Sequence, residues 1–500
     1  MKIIKSASLT NIEANEVLVE STFTKGLPSF TIVGLPSDHI KESKDRTKSA
    51  LLTNDYKFPP KKITINLAPS EIKKTGTHFD LPIALLIALY EEKNINFENI
   101  HIFGELSLNG EIKDSTSIFP IILSLAKQEI VKEVLVCEKS AQKISKIPNI
   151  KIYCVKNLFE AIEFFSKKNK NDFLYKKENL EYEKININNK DFYYEQKYPS
   201  DFLDIKGQEN AINAALIAAA GNHNILLEGS PGCGKSMIAK RLPYIMAPMS
   251  LDEILEIAKL QSLDLKEPDF RPIRVSRNPH CSSTKASIMG SSNSLGEVAL
   301  ANVGLLFFDE IPHFPGSILE SLREPLEDNC LLISRANSKI KYETKFLFVA
   351  AMNPCPCGNL LSKTKNCRCS ELEIKRYKSK LSEPFLDRID LCVVMNETNI
   401  DDKSIVDSKT LHNKVIEAFK MQILRGQKNL NGKLDDEEIK KFCILTNESQ
   451  ELLRKATQNF DMSFRSINKV LKVSRTIADL DGSSDIKKEH LLKSLGYRRR

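Results

Sequence analysis

The 500 residues contain no tryptophan, and the longest plainly apolar run, Leu81 to Tyr90, falls far short of the roughly 20 residues that span a bilayer. No membrane insertion is expected. The start, Met1-Lys-Ile-Ile-Lys-Ser6, has two lysines but lacks the apolar block and small-residue cleavage site of a secretion signal, so the expected address is the cytoplasm. No repeat imposes a solenoid. Neither charge dominates: 73 basic against 65 acidic residues leave +8, which suits a polyanionic partner without naming one. Hydrophobic residues at 41% and charged residues at 28% lie near globular averages, which excludes a chain disordered throughout. The length predicts about three domains. Eleven cysteines without a secretion signal read as reduced thiols with a metal site rather than as a disulfide framework.

Residues 1–165 mix alternating apolar stretches, such as Ile63 to Leu67 and Val131 to Cys137, with helix-like runs, the pattern of an α/β domain. Residues 166–200 are dense in Lys, Asn, Asp, Glu and Tyr and read as a charged linker. A nucleotide-binding core is expected over 201–396. A helical region follows over 397–500, where Val470 to Leu480 and Ile486 to Leu495 flank the break Asp481-Gly-Ser-Ser484.

Within the core, Gly229-Ser230-Pro231-Gly232-Cys233-Gly234-Lys235-Ser236 fits the complete phosphate-loop pattern between an apolar strand and a helix. Its glycines let successive N–H groups surround phosphate oxygens, Lys235 reaches the β and γ phosphates of ATP, and the Ser236 hydroxyl is placed to ligate Mg²⁺. Cys233 reads as a turn-lining side chain whose exposure would make the loop sensitive to oxidation. Downstream, Leu305-Leu-Phe-Phe-Asp-Glu310 is a strand ending in two carboxylates. Asp309 suits the magnesium side and Glu310 the attacking water. A third strand, Phe346 to Ala351, leads to Asn353, either a sensor of the γ phosphate or a turn former before Pro354. ATP hydrolysis is the expected chemistry.

The order of these motifs resembles the AAA+ ATPases of the YifB/ComM group of magnesium-chelatase-like proteins. The resemblance rests on Gly26-Leu-Pro-Ser-Phe-Thr-Ile-Val-Gly-Leu-Pro36, Ile65-Asn-Leu-Ala-Pro69, Phe79-Asp-Leu-Pro82, Gly104-Glu-Leu-Ser-Leu-Asn-Gly-Glu111, Asp204-Ile-Lys-Gly-Gln208, the phosphate loop and Asn353-Pro-Cys-Pro-Cys-Gly358. It covers nearly the whole chain. It implies an AAA+ P-loop core, an N-terminal domain like ribosomal S5 domain 2 and Lon, and a C-terminal helical lid. The Lon-like fold does not by itself establish proteolysis: the stretch Lys73 to Asp80 has His78 near the expected serine position and shows no serine nucleophile.

The resemblance further implies an arginine finger at Arg388, facing a neighbour's ATP, with a surface pair to Asp387 or Asp390 as the alternative. It implies a lid sensor at Arg465, with Arg475 the weaker candidate, and a ring of identical subunits, in the family's image a hexamer. Two insertions are expected, Arg271 to Asn293 and a hairpin around Asn329 to Ile340. In the second, Ser334, Arg335 and Lys339 either hold a nucleic-acid backbone or stay solvated. Where the family often carries a His-His pair, this chain has Pro279-His280-Cys281.

Beside Asn353, Cys355, Cys357, Cys367 and Cys369 form a CxC-x9-CxC pattern. Four thiolates so spaced suit structural Zn²⁺; four reduced loop thiols are the alternative. The function implied is an ATP-driven motor on single-stranded or branched DNA, a helicase promoting branch migration in homologous recombination or natural transformation. The alternatives are a protein-remodelling chelatase-like ATPase and a nucleotide-regulated scaffold.

Overall fold

The computed structural model describes residues 2–92, 95–167, 169–178, 180–291, 294–334, 339–398 and 402–498. Two compact units divide them, Met1–Glu181 with Ala258–Asp269, and Tyr182–Ile257 with Phe270–Arg500.

The first unit is built on a seven-stranded mixed sheet, in spatial order Ser29–Val33, Lys62–Ala68, Glu13–Thr24, Lys2–Thr10, Ile100–Ile102, Glu133–Val136 and Lys151–Cys154. The long hairpin Lys2–Thr10/Glu13–Thr24 is antiparallel, whereas the last three strands run parallel. The apolar run found in the sequence becomes the helix Asp80–Ala88, buried on every side, as a helix without a polar face must be. Its first residue explains part of the Phe79-Asp-Leu-Pro82 motif. The Asp80 carboxylate is fully enclosed and accepts from Arg46 Nε at 2.7 Å, so the motif pins one helix to another. Among the described residues no helix is long and apolar enough to cross a membrane.

In the second unit five parallel strands form a sheet in the order Ser276–Arg277, Leu305–Phe308, Leu347–Met352, Ile225–Gly229 and Leu391–Met395. The inner strands carry apolar runs, Leu305–Phe308, Leu347–Met352 and Ile225 to Leu227, as expected of a parallel sheet covered on both faces. The alanine-rich helix Glu209–Gly221 packs on it, with its buried residues in one core with Ile225, Leu227, Val349, Ala351 and Val393. The C-terminal helices Ser408–Leu424, Asp436–Phe442, Asn447–Asn459, Phe464–Leu480 and Lys488–Gly496 follow. Val473 and Ile477 of the fourth join that same core.

Three expectations change. The segment read as a charged linker contains an antiparallel hairpin, Glu183–Ile187/Lys190–Tyr194, whose second strand pairs with Met249–Ser250. Its polar composition conceals Ile187 and Phe192, which enter the core of the second unit. The stretch Arg271 to Asn293 is only partly an insertion, because Ser276–Arg277 is the edge strand of the main sheet and Arg274 is buried against the carbonyls of Ala247 and Val303. The expected core 201–396 is also interrupted, since Ala258–Asp269 group with the first unit.

Candidate nucleotide and metal sites

The register of the parallel sheet decides what meets what. Glu228 pairs with Met352 and Phe308 with Ala350, so the phosphate loop, Asp309 and Asn353 all leave the C-terminal edge of the sheet at one level. Such an edge is where open α/β sheets bind ligands. Gly232 and Gly234 take φ of +83° and +96°, which frees the loop to curl, and a Cβ on Gly232 would meet nothing within 4 Å: the cradle is open. Lys235 is 9% exposed. Its ammonium donates to the carbonyls of Gly229 (2.6 Å) and Ser230 (2.9 Å) and to Asn353 Oδ1 (3.2 Å), all neutral acceptors. A buried cation without a carboxylate partner is a site for an anion, and phosphate fits it. The Ser236 hydroxyl donates to Asp309 Oδ2 at 2.8 Å, a pair of oxygens suited to a hard divalent cation. Glu310 is exposed and left-handed, with φ of +51°, a conformation that is strained for a side-chain-bearing residue and is concentrated at functional sites.

Arg388 and Arg465 lie elsewhere. Leu391 pairs with Ile225, so Arg388, three residues earlier, sits at the N-terminal edge of the sheet, about 13 Å of strand away from the phosphate loop at ~3.3 Å per residue. Its guanidinium donates to Glu327 and to the carbonyl of Pro384, and Arg465 donates to the other oxygen of the same Glu327. The two arginines thus share one carboxylate, and neither pairs with Asp387 or Asp390. Asn224 holds the loop that carries Arg388 from behind. Its Nδ2 donates to the Arg388 carbonyl (2.9 Å), its N–H to Asp390 Oδ2 (2.8 Å), and its Oδ1 accepts from Phe348 N (3.3 Å). Neither Glu327 nor Asn224 was marked by any motif; Asn224 is visible only once strand register is known, and Glu327 only once the fold brings its helix beside both arginines.

Arg475, the weaker sensor candidate, is excluded from that role. It is fully buried, bonded to Asp479 (2.9 Å) and to the carbonyls of Ser483 and Ser484. Cys233 is 3% exposed and faces the core, so the expected oxidation sensitivity has no exposed thiol behind it. In the first unit, His78 is fully buried with Nε2 2.8 Å from the Ala7 carbonyl and Nδ1 3.3 Å from Ser117 Oγ. Burial pushes its pKa down to about 4. A serine does face it, but the neutral, enclosed ring makes this a structural bond. His280 is exposed and bonds to Ser282 (2.7 Å) in its own turn. The second insertion is a hairpin, Cys330–Ser334/Lys339–Glu343; Arg335, like Asn293 of the first insertion, lies outside the described residues.

The four loop cysteines converge. Their sulfurs all lie within 4.8 Å of one another, with Cys355–Cys357, Cys355–Cys367 and Cys357–Cys367 at 3.5, 3.7 and 3.6 Å. Tetrahedral Zn²⁺ with Zn–S near 2.3 Å requires sulfurs ~3.8 Å apart, so the set fits. The N–H groups of Arg368 and Asn359 bring the Cys357 thiol down to about 6, while desolvation and the neighbouring sulfurs push Cys369 up to about 12 and raise Cys367, so these sulfurs titrate as one cluster.

Comparison with known proteins agrees with this architecture. Family models match in three stretches: subunit ChlI of Mg-chelatase over residues 19–140, magnesium chelatase subunit ChlI over 201–403, and the ChlI C-terminal region over 406–498. The competence protein ComM of Haemophilus influenzae is 35% identical over 513 residues, covering 100% of this chain and 97% of that protein. The YifB protein of Escherichia coli is 35% identical over 512 residues with the same coverage. A Mycobacterium tuberculosis protein is 29% identical over 509 residues, 99% of this chain and 97% of its own length.

Proposed function

The chain belongs to the ComM/YifB family of magnesium-chelatase ChlI-like AAA+ ATPases, and from that membership we propose that it is an ATP-hydrolysing ring motor, acting in the cytoplasm on single-stranded or branched DNA as a helicase for branch migration. The motor reading is supported by the placement of the candidate groups, with the phosphate loop, Asp309 and Asn353 at one edge of the sheet and Arg388 beyond the opposite edge, where it shares Glu327 with Arg465. Lys235, Ser236, Asp309, Glu310 and Asn353 serve the subunit's own ATP, while Arg388 and Arg465 face a neighbour's. Ser236 and Asp309 hold Mg²⁺, which neutralises phosphate charge when bound. Glu310 orients the attacking water, Asn353 fixes Lys235 against the phosphates, and the neighbour's guanidiniums stabilise charge on the transferring group. A site completed only by the next copy makes assembly part of catalysis, and repeated head-to-tail contacts close a ring, here a hexamer. The first unit's mixed sheet supports the S5-domain-2 and Lon-like assignment.

DNA as substrate is supported by the competence role named for the Haemophilus relative and by the +8 charge, and the absence of a base-reading motif suits backbone tracking. The chelatase name of the family favours a second reading, remodelling of a protein partner. ATP hydrolysis measured against single-stranded, duplex and four-way DNA separates them. Stimulation abolished by Lys235→Ala and by Glu310→Gln is the expected result, whereas robust hydrolysis indifferent to every DNA would favour remodelling.

A further inference from the structure

The cysteine cluster leaves by three routes, and each ends on the phosphate-loop strand or its loop. Upstream, two residues before Cys355, Asn353 reaches Lys235 Nζ at 3.2 Å. Within the loop, Gly358 follows Cys357 directly and its N–H donates to the Cys355 carbonyl at 3.0 Å. It holds φ of +80°, and a Cβ there would lie 2.6 Å from Pro231 Cδ, so its backbone presses on the phosphate loop itself. Downstream, Ser370 follows Cys369 and caps the helix Glu371–Lys378 with a reciprocal capping box, and Lys378 at the end of that helix bonds Glu228 at 2.8 Å. Lys235, Pro231 and Glu228 are therefore all gripped from one loop.

Outside its sulfurs, that loop is held by Glu397, whose carboxylate accepts from the Lys363 N–H at 2.9 Å and from Ser362 and Thr364. Between Cys357 and Cys367 the sequence is Gly-Asn-Leu-Leu-Ser-Lys-Thr-Lys-Asn, and its two leucines, Leu360 and Leu361, are 39% and 42% exposed. With no apolar anchor of its own, the loop is fixed by that one carboxylate and by whatever joins the four sulfurs, and none of them is in a disulfide.

We propose that Zn²⁺ bound by Cys355, Cys357, Cys367 and Cys369 is a clasp that positions the phosphate loop, so that ion occupancy sets nucleotide affinity. This rests on reading the cluster as a zinc site. The ion here does no Lewis-acid chemistry; it fixes Gly358 against Pro231 and Asn353 against Lys235.

The test uses full-length protein purified without an affinity metal. Elemental analysis is expected to give one zinc per chain, lost in the Cys367→Ser/Cys369→Ser double variant. Affinity for a fluorescent ADP analogue is expected to weaken by about tenfold on zinc loss, the scale on which groups that orient a site usually act, with circular dichroism unchanged. Gly358→Ala is expected to keep its zinc and still lose nucleotide affinity, because the added methyl must displace Pro231; this holds the test open should the cysteine variant misfold. Absence of zinc from every preparation overturns the metal reading. Stoichiometric zinc, with nucleotide affinity unmoved both by Gly358→Ala and by zinc loss, overturns the clasp alone.

Discussion

Glu327 offers the sharpest test of a catalytic group delivered between subunits. Its carboxylate bridges Arg388, whose side chain is 9% exposed, and Arg465, whose side chain is 51% exposed. Removing it in Glu327→Ala leaves two guanidiniums facing one another. Arg388 then keeps only the Pro384 carbonyl, with its Nε already lacking a partner. The exposed Arg465 pair contributes about 1 kcal/mol at most, and the charged bond to the nearly buried Arg388 about 1.5–3 kcal/mol. These losses fall on placement of Arg388, the proposed finger, rather than on nucleotide binding. A displaced catalytic group lowers rate by about 10²-fold, so kcat is expected to drop by that factor with KM for ATP unchanged. The Glu327→Ala subunit still has an intact ATP site, and Lys235→Ala still has an intact finger. Mixed in equal amounts, two nearly inactive proteins are expected to recover roughly one productive interface in four of a closed ring. Steady-state hydrolysis across a mixing series measures this. Mixtures no more active than the average of their components would refute delivery between subunits.

Glu310→Gln is expected to bind ATP with normal affinity while hydrolysing it about 10²-fold more slowly or worse. Lys235→Ala is expected to lose binding itself, as equilibrium titration with a fluorescent nucleotide will distinguish. Asp479 accepts from Arg475, Arg425 and Asn431 in the helical domain, so Asp479→Ala strands a buried guanidinium and is expected to cost about 3–5 kcal/mol, seen as early unfolding of the second unit in denaturant. His78 holds its native pKa down at about 4 against 6.5 when unfolded. Between those values the unfolded chain binds more protons, so stability of the first unit falls as pH drops below 6.5. The expected loss from this residue is about 2 kcal/mol between pH 7 and pH 5, and His78→Gln should flatten that part of the profile in denaturant melts.

The candidate nucleotide site was legible because its residues stand consecutively in the chain. A phosphate loop, a strand ending Asp309-Glu310 and a strand ending near Asn353 are local patterns, and parallel pairing then places their ends together. The cysteines were legible for the same reason. Glu327 was not, since it stands 61 residues from Arg388 and 138 from Arg465 in a helix with no motif. The hairpin Glu183–Ile187/Lys190–Tyr194 was hidden because its few inward apolar residues sit among lysines and asparagines, and composition averages away alternation. Cys233 and Arg475 were misjudged on burial, which depends on the direction a side chain takes rather than on its neighbours in sequence.

Asn224 stands at the foot of the strand whose head is the phosphate loop, and it grips the backbone of Arg388. The strand is laddered on both sides, to Leu347–Met352 and to Leu391–Met395, so it can neither stretch nor shear without breaking several bonds at once. It works as a tie rod. A displacement of the phosphate loop along the strand axis would therefore carry the backbone of Arg388 with it.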